Sequence, residues 1–291
     1  LLVAVMLRLE QKAQARLRFA SQRSMGRGAE SQPLKLTSWP AALALLLCAL
    51  PVLLGFVLPL LIMGHALWVH SQSVAMDWLK FSIWMGNSLY LGLLTAVLAV
   101  GMALSLAFSQ RVHPGVWHRF STQAVGLGYA VPGVIIVVGL LLPIGWLQQA
   151  WPQSQAGYWL TATILGLVWA YLVRFIAVAL QAVQTGYTRI PLSTDEASRT
   201  LGVFRTALFT RVHWPLLKRS TAAALLLVLV DVMKELPATL VLRPFNTDTL
   251  AVMAYQLARD ERLGEAALPS LALVLVGLLP VMLLSRTLRK T

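Results

Sequence analysis

The chain has 291 residues and a formal net charge of +13, yet only 12% of its residues are charged and 58% are apolar. A soluble domain carries about 25% charged and about 45–50% apolar residues, so an ordinary soluble fold is excluded. The apolar residues lie in continuous blocks of about 18–20, long enough to cross hydrocarbon as a helix. They do not form the alternating ten-residue segments of a membrane barrel. Lipid offers the backbone no hydrogen-bond partner, and a helix supplies its own. The fold class expected is therefore all-α and polytopic.

In chain order, Leu1 to Leu7 is apolar, and Arg8, Lys12, Arg16 and Arg18 follow. A signal peptide has its charge first and its apolar stretch second. Residues 1–9 instead read as the end of a preceding membrane helix, and the chain as the C-terminal portion of a longer protein. Residues 10–38, rich in Ser, Gly, Gln and Arg, read as a flexible linker. Six spans are then expected at about 41–62, 85–108, 123–146, 159–180, 220–242 and 266–285. The single cysteine, Cys48, falls inside the first and reads as a small hydrophobe.

Lysine and arginine placement orients these spans. The linker, the 109–120 loop, the 181–219 segment and the tail after Ser285 hold 18 of the 24 basic residues. That side is expected to be cytoplasmic, with both ends of the six-span unit (39–291) inside a bacterial inner membrane. Topology accounts for the basicity, and no nucleic-acid partner is needed.

The longest basic connection, 181–219, carries most information. Ser193 to Glu196 reads as a capping box, and Asp195 and Glu196 suit the positive end of a helix. Gly202 is expected to end that helix. Phe204, Ala207, Leu208 and Val212 recur at helical spacing, and Pro215 is expected to close this second turn before the next span. A short amphipathic helix of this kind can dock into a groove on a partner.

The spacing of Glu196-Ala197-Ser198, Gly202, Val212, Trp214 and Pro215 resembles the cytoplasmic signature of ABC importer permeases. That signature is Glu-Ala-Ala, three residues, Gly, nine residues, Ile, one residue, Leu-Pro. Ser198, Val212 and Trp214 depart from it in residue type. The resemblance implies a six-helix, type I (MetI-like) permease fold in which 190–217 is the coupling segment seated in an ATPase. It also implies a cytoplasmic ATPase dimer that carries ATP and Mg, a periplasmic binding protein, and a second permease half, fused or as another copy. No glycine is followed by lysine, so the chain has no P-loop and no cofactor of its own is expected. The chain is expected to be a transport subunit and not an enzyme.

The stretch Lys234-Glu235-Leu236-Pro237-Ala238-Thr239, with Leu242-Arg243-Pro244-Phe245 and Ala258-Arg259-Asp260-Glu261-Arg262-Leu263, is similar to the ferric-iron branch of these importers. Thiamine permeases are close kin, and an ion-coupled secondary transporter is the alternative mechanism. Asp231, Lys234, Glu235 and Pro237 are candidate pathway residues. Asp231 and Lys234 are three apart and can neutralise each other, while Pro237 is expected to bend or end its helix. A pair that only fixes helix packing is the competing reading. Arg174 is expected to snorkel to the inner surface, and Asn87 to donate a hydrogen bond between helices. Asp260, Glu261 and Glu265 read as solvated loop charges, and the histidines suggest no metal site.

Overall fold

A computed structural model describes residues 39–288 apart from 154, and every regular element among them is helical. The expected helix end at 1–9 and the linker at 10–38 lie outside the described residues. Contacts divide the chain at residue 57. The first unit is described from α1 (Trp39–Val52), which contains Pro51 and passes into a π-helical turn, Leu53–Val57. Among its described residues none is buried.

The second unit begins with α2 (Leu58–Ser73) and α3 (Trp78–Val112). The Asp77 side chain caps α3 by accepting from the Lys80 amide at 3.0 Å. The helix then runs 35 residues without a proline and stops at His113, whose following Pro114 disfavours helical backbone. Helices α4 (Val116–Ala130) and α5 (Gly133–Ala150) follow, then α6 (Ala156–Thr161) and α7 (Ile164–Tyr187). Next come α8 (Leu192–Thr200), the single turn α9 (Arg205–Leu208) and a π-helical turn, Phe209–His213. The last four are α10 (Trp214–Met233), α11 (Pro237–Leu242), α12 (Leu250–Arg259) and α13 (Leu263–Leu288).

Among the described residues, five helical runs are long and apolar enough to cross a membrane: Trp39–Ser73, Trp78–Val112, Gly133–Ala150, Ile164–Tyr187 and Leu263–Met282. The sixth expected span corresponds to α10, whose 20 residues would reach about 30 Å but include Lys218, Arg219 and Asp231. Several boundaries need correction. The span expected at 123–146 is two helices, because Val131 precedes Pro132 and is held extended. The span expected at 159–180 begins at Ile164, where Thr163 caps it. The span expected at 220–242 ends at Met233 and resumes at Pro237, which takes the first helical position where its missing N–H costs nothing.

The core lies among α3, α7 and α10. Ala96, Ala99, Ala103 and Ala107 of α3 are buried at helical spacing and let the backbones approach, as small residues do in lipid where there is little hydrophobic drive. Two glycines mark the closest approaches. A Cβ on Gly128 of α4 would lie 2.0 Å from the Val173 carbonyl oxygen of α7, and one on Gly166 would lie 1.9 Å from that of Leu160. Large apolar side chains such as Leu93, Val97, Ile135, Trp169 and Leu275 face outward, as lipid-facing residues do.

Candidate functional site

Two clusters of polar groups are built into this apolar frame. The first surrounds α8. Its first turn is not a capping box: the N-cap is Pro191, with no side-chain cap hydrogen bond, so Ser193 already sits inside the helix. Proline at that position fixes an extended entry, and the acids turn in opposite directions. Asp195 and Ser198, three residues apart, point inward and are buried, while Glu196, Ala197, Arg199 and Thr200 are exposed. Ser198 Oγ donates to the Thr194 carbonyl at 2.7 Å, which satisfies it locally.

Gly202 ends α8 as expected. Its φ of +79° lies in the left-handed region open to glycine. The Gly202 amide donates to the Arg199 carbonyl at 3.0 Å and the Val203 amide to that of Ser198 at 2.9 Å. This is a Schellman ending. Beyond it Leu208 is buried, Val212 is half-buried, and Phe204 and Trp214 are exposed. Pro215 does not close this turn. It lies in the first turn of α10, and the chain stays helical from Arg205 to Met233 because the Trp214 amide reaches back to Phe209 through the π turn.

Asp195 is 5% exposed and is gripped from two sides. Arg111, in the last turn of α3, donates from Nε to Oδ2 at 2.7 Å and from Nη2 to Oδ1 at 3.3 Å. The same guanidinium reaches the carbonyls of Ile190 (2.9 Å), Pro191 (3.0 Å) and Tyr187 (3.4 Å). His213 is fully buried, with Nε2 3.0 Å from Asp195 Oδ1 and Nδ1 3.2 Å from the Tyr187 hydroxyl. Its ring packs edge-on against Phe108 and Tyr187. Burial alone would raise the Asp195 carboxyl, but hydrogen bonds from Arg111 and His213 outweigh it and hold the group below its ordinary value.

The second cluster lies where two helix breaks meet. Arg174 is the eleventh residue of 24 in α7, so about 15 Å of helix separates it from the nearer end. That is too far for its side chain to reach an interface, and the snorkelling expectation is corrected. Arg174 Nη1 instead lies 3.1 Å from Glu235, which is 6% exposed and sits between α10 and α11. Glu235 Oε1 also accepts from the Ala238 amide at 3.3 Å. Thr239 donates to the Glu235 carbonyl and lies 2.6 Å from the buried Tyr171 hydroxyl. Gly133 opens α5 directly beneath the pair. A Cβ there would be 2.6 Å from Arg174 Nη1 and 2.7 Å from Glu235 Oε1. Arg174 Nε is buried with no hydrogen-bond partner.

The structure thus separates the four pathway candidates. Asp231 and Lys234 pair with each other at 3.4 Å and stay partly exposed. Glu235 turns inward to Arg174, and Pro237 starts α11. Asn87 donates to the Asp248 carbonyl at 3.0 Å, which joins α3 to the turn before α12. Of the three acids expected in a loop, Glu265 lies instead in the first turn of α13 and pairs with Arg262, and Asp260 pairs with Arg259. Sequence reasoning missed Arg111, Tyr187, His213 and Gly133. The legible signals were a lone arginine at the end of a span, a histidine one residue before Trp214-Pro215, and a glycine directly after a proline.

No family model matches the chain. Over 217 residues, 74% of its length, it is 25% identical to the Fe(3+)-transport system permease protein FbpB 2 of Haemophilus influenzae. It is 26% identical over 199 residues, 68% of its length, to the permease protein PhnV of Salmonella typhimurium, named for 2-aminoethylphosphonate transport. The chain is a relative of the ABC-transporter permeases. It spans 41% of the length of the Haemophilus permease and 72% of PhnV. A Streptomyces antibioticus ABC transporter permease protein is 29% identical over 156 residues, 54% of this chain and 63% of that one. The fold agrees. A chain of a bacterial alginate ABC transporter, solved with its alginate-bound periplasmic protein, superposes with a TM-score of 0.65 at 18% identity. The match covers 87% of this chain and 96% of that chain.

Proposed function

We propose that the chain is the membrane-spanning permease component of an ATP-driven importer, with α8 and the turns that follow it as the segment that engages a separate ATPase. The carrying observation is the geometry of that segment. One face of α8 is anchored inward through Asp195, while Glu196, Ala197, Gly202 and the apolar side chains of Leu192, Leu201 and Phe204 lie exposed. An exposed helix with an apolar fringe and a fixed inner face suits a groove on a partner. Val212, Trp214 and Pro215 continue the segment into α10. The basic residues around it support a cytoplasmic side for this end by the positive-inside rule. The opposite ends of the spans then face a periplasmic binding protein, and a second permease half completes the pathway.

Ferric ion is the substrate we favour, because of the 234–263 stretch and the Haemophilus relative. Phosphonate transport by another relative makes a small anionic solute the runner-up. Arg174, Glu235 and Gly133 are the pathway residues proposed here, since broken helices that meet around ionisable groups deep in a bundle are where transporters hold solute. A proton-coupled carrier is less supported, because Glu235 is committed to Arg174 and Asp231 to Lys234.

Affinity purification from the native membrane tests the reading. An ATPase subunit is expected to accompany the wild-type chain and to be lost on Gly202→Asp or Glu196→Lys. Its absence from the wild-type preparation would remove the importer assignment. Uptake of radiolabelled ferric ion against labelled phosphonate selects the substrate, and unchanged uptake in Glu235→Gln would count against that residue's place in the pathway.

A further inference from the structure

Helix α3 is pinned at both ends by side chains that the coupling motif does not include. At one end, Arg111 holds the Asp195 carboxylate and three backbone carbonyls, those of Tyr187, Ile190 and Pro191. Every nitrogen of the guanidinium is used, so the end of α7, the 190–191 turn and the first turn of α8 are fixed to one side chain. At the other end, Asn87 donates to the Asp248 carbonyl at 3.0 Å, and Ser88 Oγ accepts from the Leu250 amide at 2.8 Å. The Ser88 hydroxyl also donates to the Trp84 carbonyl, so both its roles are filled. Asn87 and Arg111 stand 24 residues apart on a helix without proline, about 36 Å of axis. The buried small-residue face of Gly92, Ala96, Ala99 and Ala103 presses that length against α7 and α10 and resists bending.

We propose that Arg111 is a positioning residue that makes α3 a connecting rod, so that movement of α8 on one side of the membrane is carried to the Asp248–Leu250 turn on the other. A carboxylate held by a fork of donors fixes orientation as well as distance, which a lysine in the same place does not do. Coupling between distant sites needs a rigid element that both ends can bias. α3 meets that requirement because its attachments at each end are to turns and helix ends, not to helix middles. The inference rests on the importer reading for what drives α8, but not for the clamp itself.

Hydrogen exchange on the transporter isolated from its native membrane and held in lipid nanodiscs tests it. In Arg111→Gln the amides of 194–201 are expected to exchange about tenfold faster or more, with Arg111→Lys in between. On addition of MgATP and vanadate, the wild type is expected to change exchange at 248–252. That response is expected to vanish in Arg111→Gln and equally in Asn87→Ala/Ser88→Ala, a variant that leaves α8 untouched and so controls for misfolding near it. Unchanged protection at 194–201 in Arg111→Gln overturns the clamp. A far-end response that survives either variant, or is missing from the wild type with its ATPase bound, overturns the rod. If no ATPase accompanies the wild type, it is the importer reading that fails, and exchange at 194–201 still decides the clamp.

Discussion

At the scale of single residues, the two buried carboxylates have opposite surroundings. Asp195 is held by a guanidinium whose five contacts are spread over side chain and backbone, and by His213, and its acidity is raised in consequence. A carboxyl whose folded value lies below its ordinary 3.8 contributes stability that is complete above that value. The contribution is lost as pH falls through the lower folded value. Exchange protection of 194–201 is therefore expected to be level from about pH 7 to 5 and to collapse only below about pH 4. Glu235 has one cation and sits deep in the bundle. Removing its charge leaves the half-buried Arg174 without its countercharge, so Glu235→Gln is expected to cost about 1–3 kcal/mol. Arg174→Met combined with Glu235→Leu should cost less, because no charge is stranded. Denaturant midpoints in detergent compare the two, and equal losses would mean that the pair is not the stabilising contact. Arg174 also shows how sequence reading misassigned a side chain. Its long stem suggested a reach to the surface, and only its place midway along α7 rules that out.

At the scale of elements, prolines and glycines set the helix ends and the crossing distances. Pro114, Pro132 and Pro237 each fall at a break, and two of these breaks bring Gly133 and Glu235 together beneath Arg174. Gly128 shows how close α4 lies to α7. A methyl group there would overlap the Val173 carbonyl, which is backbone and cannot rotate away. Gly128→Ala is expected to destabilise by about 1–3 kcal/mol, read as a lower unfolding midpoint, whereas Gly139→Ala, with open space at its Cβ, should be silent. Equal behaviour of the two would contradict the packing of α4 on α7. The capping-box expectation failed at this scale. Ser193 to Glu196 has the right spacing, but Pro191 places the helix start two residues earlier, and tertiary contact with Arg111 claims Asp195.

At the scale of the whole molecule, charge placement and the helix ends make a topology that can be checked. Arg111 and α8 lie at one end of α3, and Asp248 and Phe245 lie toward the other. With Cys48 replaced by Ser, a cysteine at Phe245 is expected to react with a membrane-impermeant maleimide added outside, and one at Trp117 only after permeabilisation. Both positions are fully or largely exposed. The reverse labelling pattern would invert the chain in the membrane and take α8 away from any cytoplasmic ATPase.

What the sequence determined by itself was set by quantities that add along a chain. The apolar blocks required helices in a bilayer, and the basic connections ranked its two sides. The spacing from Glu196 through Gly202 to Pro215 singled out the segment proposed to engage an ATPase, and Gly202 ends α8 as its chemistry requires. What only the tertiary structure decided was pairing. Arg111 meets Asp195 across 84 residues and Arg174 meets Glu235 across 61. Such partners are selected by where helices cross and where prolines interrupt them. In a medium that gives a buried charge no water, those crossings settle which charge neutralises which.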